Sequence, residues 1–307
     1  MITSFTDRLV SCDCCPRQCK VNRLAGEISF CRTGAKALVA HAGLHYGEEP
    51  PISGTAGSGT IFFAGCNLRC IFCQNWQISQ RFDKSSVREM SPEDITDEML
   101  RLQDSGAHNI NLVSPSHIIW QIADAILLAR DKGLSIPIIY NSGGYDSVEA
   151  LKAIEGLIDI YMPDIKYMDN TLAKKLSGAS NYADIIPGVL KEMFRQTGPL
   201  DTDLKGIATR GMLIRHLILP GHQENSRRCL EVIANLSPDI PVSLMSQYTP
   251  QFKAATCQEI NRRLKSEEYY NLMDYAFSLG LNNLFTQDIT SQDHYLPDFE
   301  KKNPFEN

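Results

Sequence analysis

From residue 59 onward, short apolar or β-branched runs alternate with longer amphipathic segments. The runs are "TIFFAG", "NINLVS", "IPIIYN", "LIDIYMPD", "MLIRHLILP" and "PVSLMSQ". That rhythm is the βα signature of a parallel sheet joined by crossover helices. In "SPEDITDEMLRLQDSG", Ser91 is placed as an N-cap, Pro92 as the first helical residue, and acids fill the first turn. The segment therefore predicts a helix that stops at Gly106. "HIIWQIADAILLARDKG", "NSRRCLEVIANL" and "KSEEYYNLMDYAFSLG" read as later helices. Six such strands, with a seventh at "NNLFT", predict an α/β fold: an incomplete parallel (β/α)6-type barrel over residues 59–307. Barrels and open parallel sheets both carry their chemistry at the C-terminal strand ends. Those ends hold Cys66, Ser114, Asn141, Asp164, Lys166 and Gln247.

Residues 1–58 are of a different kind, Cys-rich and then Gly/Pro-rich at "YGEEPPISGTAGSGT", and predict a small N-terminal module with a linker or covering loop. The full chain of 307 residues has ordinary globular usage, 43% hydrophobic and 21% charged, so neither disorder nor a fibrous repeat is expected. No window approaches the roughly 18 uninterrupted apolar residues of a spanning helix, and no secretory leader is visible, so a cytoplasmic protein without a membrane partner is expected. A net charge of −6 without a basic run argues against nucleic acid as a partner.

Ten cysteines are many for a reducing compartment, where clustered thiols are metal ligands or catalysts. Five lie within residues 12–31 and three within 66–73, while Cys229 and Cys257 stand alone and read as small buried hydrophobes. In "GCNLRCIFCQNW", Cys66, Cys70 and Cys73 share one tight loop directly after the first strand. Three thiolates there leave a structural zinc site one ligand short, whereas a cubane iron-sulfur cluster can be held by three and keep one iron open.

The Cys-x3-Cys-x2-Cys pattern of "CNLRCIFC", with an aromatic before the last cysteine, resembles the radical S-adenosylmethionine (radical SAM) superfamily. The chain is similar in particular to pyruvate formate-lyase activating enzyme-like proteins that carry a Cys-rich N-terminus. The resemblance implies a 4Fe-4S cluster on Cys66, Cys70 and Cys73, with SAM chelating the fourth iron. It further implies reductive cleavage of SAM to a 5′-deoxyadenosyl radical that abstracts hydrogen from a substrate. A protein or peptide substrate is implied, with glycyl-radical activation as the specific version, and an electron donor such as flavodoxin or ferredoxin. Carried over residue by residue, it assigns Phe72 to the adenine, Asn141 of "YNSGGY" to the ribose, and Asp164 and Lys166 of "PDIKYMD" to SAM and its carboxylate. Arg215 of "IRHLILPG" joins the same polar network. The family's Gly-Gly-Glu segment, which binds the SAM amino group, is absent; "VSPSH" stands there, and Ser114, Ser116 or main-chain carbonyls are the expected substitutes. His117 and His216 read as ordinary helix-start and strand residues.

"CDCCPRQCKVNRLAGEISFC" offers Cys12, Cys15, Cys19 and Cys31 as ligands of a second metal site, with Cys14 as a fifth thiol. Spacing alone leaves zinc and a 4Fe-4S cluster equally open. Two other functions compete: radical modification of a small molecule, and a non-catalytic iron-sulfur or zinc adaptor.

Overall fold

The computed structural model describes residues 4–289, 296–301 and 303–305. After two 3-10 turns, Phe5–Ser11 and Arg23–Ala25, the chain enters strand β1 (Ala37–His45), one turn of helix α1 (Pro50–Ser53) and strand β2 (Ser58–Phe63). The short helix α2 (Trp76–Ser79), β3 (Arg88–Met90), α3 (Pro92–Asp104), β4 (Ile110–Val113) and α4 (Ile119–Asp131) follow. Next come β5 (Ile138–Ser142), α5 (Val148–Ala153), β6 (Ile160–Pro163), α6 (Asn170–Ser177) and α7 (Tyr182–Thr197). The chain continues through β7 (Asp201–Thr202), β8 (Ala208–Met212), β9 (Ile214–Leu217), α8 (Gln223–Leu236), β10 (Val242–Met245), α9 (Ser266–Ser278) and β11 (Leu284–Thr286).

β2, β4, β5 and β6 pair in parallel, one after another. The run continues through a parallel bridge between Asp164 and Arg215 into β9, β10 and β11, which are also parallel. This is the expected partial barrel, including the seventh strand at residues 284–286. β2, β4, β5, β6 and β10 are buried along their whole length, which is why they read as near-continuous apolar runs. Helix α3 starts as its sequence dictates: the Ser91 hydroxyl accepts from the Asp94 N–H, the Asp94 carboxylate answers at the Ser91 N–H, and Pro92 opens the first turn.

Three features go beyond the sequence reading. The run "MLIRHLILP" is not one strand: β8 pairs with β6 and β9 with β10, and the chain switches partner at Leu213. Helix α7 carries Pro187 inside it, where the carbonyl of Ala183 loses its usual donor. Finally, β1 lies antiparallel on β2 and pairs with β3 on its other side, so residues 37–45 extend the main sheet beyond residue 59. The segment after β1 then runs into the barrel, where fully buried Ile52 joins Ile139, Ile160, Met162 and Leu213 in a core cluster. Residues 4–36 pack against the outside: Phe5 stacks on Trp120 of α4 at 6.0 Å, and the Phe5 and Thr6 N–H groups donate to Asp124.

Candidate active site

At the C-terminal ends of the strands lies a cavity of about 240 Å³. It is lined by Cys66, Cys70, Phe72 and Cys73 from the loop after β2, and by Ser114 and Ser116 after β4. Asn141, Asp164, Lys166, Arg215 and Gln247 complete the wall. Every strand-end residue expected from the sequence therefore meets the others in one place. The sequence did not single out Glu48, His45, Asn67 or Ser142, which line it too.

The cluster loop is held open at both ends. Gly65 turns the chain at φ +81° immediately before Cys66, and a Cβ there would stand 2.4 Å from the Cys31 carbonyl oxygen. Asn67, buried, donates to the Tyr145 carbonyl, while the Arg69 and Ile71 N–H groups donate to Ser177 and Leu176 at the end of α6. Each sulfur has a donor or hydroxyl neighbour. Cys66 Sγ accepts from the Leu68 N–H at 3.3 Å, Cys70 Sγ from the Ser177 hydroxyl at 3.0 Å, and Cys73 Sγ lies 3.3 Å from the Ser79 hydroxyl.

Burial, and then the neighbouring Cys70 sulfur, pushes the Cys66 thiol up to about 11 and the Cys73 thiol up to about 12; burial raises Cys70 as well. Deprotonated, three thiolates on one loop would repel one another and need a cationic centre to bind them. Iron supplies that charge, and hydrogen bonds to the ligating sulfurs are what tune such a cluster. Among the described residues, no three His, Cys, Asp or Glu side chains gather as the ligands of a single ion. A cluster does not need that convergence, because each cysteine serves a different iron. The donor set fits a 4Fe-4S group.

Burial works against the charge of Lys166, but the adjoining Asp164 carboxylate, with Cys70 and Cys73 nearby, outweighs it and holds the ammonium above its ordinary value. Both side chains line the cavity, so the expected pair is a site pair and not a surface one. The Lys166 N–H donates to the Tyr182 hydroxyl, which in turn bonds the Gly143 and Asp164 carbonyls. Gly144, at φ +75°, permits this approach: a Cβ there would lie 2.2 Å from the Asp164 oxygen.

Ser114 adopts the left-handed region (φ 62°, ψ 49°), and its N–H donates to the Asn141 carbonyl. The turn drives Ser116 inward. Behind Ser116 sits fully buried Asp146, which accepts from Tyr140 at 2.8 Å and from the Ser142 hydroxyl at 2.6 Å, and bonds Ser116 as well. Burial nevertheless raises its pKa. Sequence reasoning passed over Asp146 because "YDS" after two glycines looks like a turn.

Arg215 lines the same cavity as Asp164 and Lys166 and bridges to Asp164 through its backbone. Its guanidinium is spent on a bidentate pair with Glu49, at 2.8 and 3.0 Å, and on a contact with Glu48, both delivered by the segment after β1. Glu48 also accepts from Asn111 at 2.9 Å. Arg215 lines the cavity but its donors face this ion cluster. Phe72, 5% exposed, packs its ring 6.0 Å from Tyr248. His117 and His216 are buried and held neutral: His117 Nε2 meets the Ala64 carbonyl, and His216 lies between the Ile165 carbonyl and the Ser226 hydroxyl.

The description "Radical SAM superfamily" matches residues 60–193, from β2 through most of α7. An uncharacterized protein of Methanocaldococcus jannaschii, MJ0674, is 32% identical over 281 residues, covering 90% of this chain and 77% of its own length. A pyruvate formate-lyase-activating enzyme of Clostridium pasteurianum is 24% identical over 200 residues, 62% of this chain and 74% of that protein. Among solved structures, SuiB of Streptococcus suis bound to its precursor peptide SuiA superposes with a TM-score of 0.50 at 15% identity. It covers 76% of this chain, which spans about half of SuiB (49%), and it supports the fold alone. Among the described residues no helix is long and apolar enough to cross a membrane. The cluster loop at the mouth of a partial parallel barrel, the superfamily match across it and a relative aligned over most of both chains lead to one assignment: this protein belongs to the radical SAM superfamily.

Proposed function

We propose that this protein reductively cleaves S-adenosylmethionine and uses the resulting radical to abstract hydrogen from a protein or peptide, with activation of a glycyl-radical enzyme as the specific version. The observation that carries the reading is the meeting of Cys66, Cys70, Cys73, Asn141, Asp164 and Lys166 around one cavity at the strand ends. When bound, a 4Fe-4S cluster supplies the electron that breaks the sulfonium C–S bond of SAM, releasing methionine and the 5′-deoxyadenosyl radical.

The chain's own residues divide the remaining work. Cys66, Cys70 and Cys73 would hold three irons. Lys166, kept cationic by Asp164, would face the SAM carboxylate, and Asn141 the ribose. The hydroxyl proton of Ser142 is committed to Asp146 and its oxygen accepts from the Gly144 N–H, which leaves one lone pair for a further donor. With Ser116 bonded to the same carboxylate, the two serines supply acceptors for the SAM ammonium in place of the missing Gly-Gly-Glu segment. Leu68 and Phe72 wall the cavity with hydrocarbon and limit water around the radical.

A protein substrate is favoured by the description of one relative, an activating enzyme of pyruvate formate-lyase. Incubation of anaerobically reconstituted protein with SAM and a strong reductant should release 5′-deoxyadenosine and methionine in equal amounts. An intact cluster that yields neither would turn the assignment toward a binding role.

A further inference from the structure

An incomplete barrel has an open side, and this chain lays a segment of its own across it. The parallel run begins at β2 and ends at β11, and among the described residues those two strands do not pair with one another. The chain leaves β11 at Thr286, and by Phe299 it packs on Phe62 of β2, at the other end of the run. Side chains alternate along β2: Ile61 and Phe63 join the main core with residues of α3 and α4, whereas Phe62 lines the cavity. Phe62 belongs to a separate small cluster with Leu38, Ile78, Phe82 and Val113, and Phe299 and Phe305 pack against that cluster. The Phe62 ring lies 5.4 Å from Phe299 and 5.3 Å from Phe305, while the Phe305 ring lies 4.1 Å from His45 of β1. Pro297 and Phe305 themselves line the cavity.

This strap is lightly fastened. Among the described residues no backbone–backbone hydrogen bond joins it to a strand or helix. Its own bonds close a turn, from the Asp298 N–H to the Pro304 carbonyl at 2.9 Å and from the Lys301 N–H to the Asp298 carbonyl at 3.1 Å. A polar hold comes from Gln77 of α2, whose side-chain amide accepts from the Phe299 N–H at 2.9 Å and donates to the Asp298 carboxylate at 3.1 Å. A cover that shares no ladder with the sheet can lift without unpairing strands, and such segments open at far lower free energy than a core does. Lifting it bares the Phe62 ring and its apolar neighbours beside the strand ends, a patch of the kind that receives a partner's anchoring side chain. It also leaves the Gln77 amide with a donor and an acceptor to offer a second peptide.

We propose that the groove walled by Phe62, His45 and Gln77 is the docking site for a segment of the protein substrate that carries an aromatic residue. Residues 296–301 and 303–305 fill it as an intramolecular stand-in until such a segment displaces them. The strap shows what the groove accepts: an aromatic ring on Phe62 and His45, an N–H for Gln77 Oε1, and a carboxylate or carbonyl oxygen for Gln77 Nε2. Displacement exchanges one set of non-covalent contacts for another. That the incoming segment is a substrate rests on the function proposed above; the groove and its removable cover do not.

The test is a fluorescence anisotropy titration with a labelled peptide of the strap's sequence, LPDFEKKNPFEN (residues 296–307), added to full-length protein without SAM or reductant, so that the readout is independent of SAM cleavage. The native chain is compared with the variant Phe299→Ala with Phe305→Ala, whose own strap has lost its two rings. The variant should bind the peptide roughly tenfold or more tightly than the native chain, because an intact tethered strap competes at an effective concentration of about a millimolar. A peptide with alanine in place of both phenylalanines should bind neither chain. Equal binding by the two chains, or none by the folded variant, would overturn the groove. Native-state hydrogen exchange of the unaltered protein guards against a variant that fails to fold. The Phe299 amide should exchange roughly 100-fold or more faster than the amides of β4 and β5, and exchange only in step with that sheet would overturn the displacement. A dimer of the native chain that the double variant loses would assign the groove to a second copy and overturn the substrate reading.

Discussion

Replacing Arg215 by methionine removes the one cation from a buried group of three charges. The Arg215 side chain is 15% exposed and those of Glu48 and Glu49 are 7% each, so little water is available to compensate. Deleting one partner of a buried pair typically costs about 3–5 kcal/mol, chiefly because an uncompensated charge remains. Here two carboxylates remain. Glu48 keeps its bond from Asn111, and Glu49 keeps one from Ser243, so the lower end of that range is the safer expectation. In the native protein burial raises the pKa of Glu49, and Arg215 more than reverses the effect, leaving it below the ordinary value. Without Arg215 the burial effect stands alone, and the folded-state pKa rises above that of the unfolded chain. The folded variant then binds more protons than the unfolded one, and its deficit must grow as pH rises through that window and shrink as pH falls. Urea unfolding followed by near-ultraviolet circular dichroism at pH 8 and pH 5.5 reads both effects, with the wild type as reference so that other titrations cancel. A deficit of about 3 kcal/mol at pH 8, reduced by about 1 kcal/mol or more at pH 5.5, is expected. Adding Glu48→Gln and Glu49→Gln should restore most of the loss. A deficit below about 1 kcal/mol at pH 8, or one independent of pH, would refute the reasoning.

Three further outcomes are expected. Gly144→Ala forces a Cβ to within 2.2 Å of the Asp164 oxygen at a positive φ, and should lower stability by about 2–4 kcal/mol in the same unfolding assay, with loss of SAM binding. Asp146→Ala strips buried Tyr140, Ser142 and Ser116 of their shared acceptor. It should weaken SAM binding in equilibrium dialysis by roughly tenfold or more, as loss of hydrogen bonds to a charged group does. Burial lowers His117 to about 3 and His216 to about 4 from 6.5, so the unfolded chain takes up protons below pH 6.5 that the folded chain refuses. Stability is full above that pH and should fall by about 2 kcal/mol per histidine between pH 7.5 and 5, with His216→Gln removing its share.

The barrel and the inner ring of the site were legible because both rest on local pattern. Apolar runs such as "TIFFAG" and "IPIIYN" are buried on both faces, and the residue that ends each run is aimed at the mouth whatever the distant chain does. The rest depends on partners far away in sequence. Glu48 and Glu49 sit in a Gly/Pro-rich stretch that reads as solvent-exposed loop, and their burial is explained only by Arg215, 166 residues beyond Glu49. Asp146 likewise becomes a site residue only once Ser116 and Tyr140 are seen around it. β1 carries polar His41 and His45 within its span, so its pattern lacks the run that marks the central strands. It is fixed in the sheet by pairing with β2 and β3. The break between β8 and β9 is a choice of partner strand, which composition does not encode.

The account's central claim is that SAM meets the cluster of Cys66, Cys70 and Cys73 inside the cavity walled by Asn141, Asp164 and Lys166. Electron paramagnetic resonance of the anaerobically reduced protein, with and without SAM, tests it most directly, in the variant Cys12→Ala with Cys15→Ala so that no metal on the N-terminal cysteines contributes to the signal. The account predicts that SAM shifts the reduced-cluster signal and that Cys70→Ala, added to this variant, abolishes it; a fully assembled cluster whose spectrum ignores saturating SAM would contradict it.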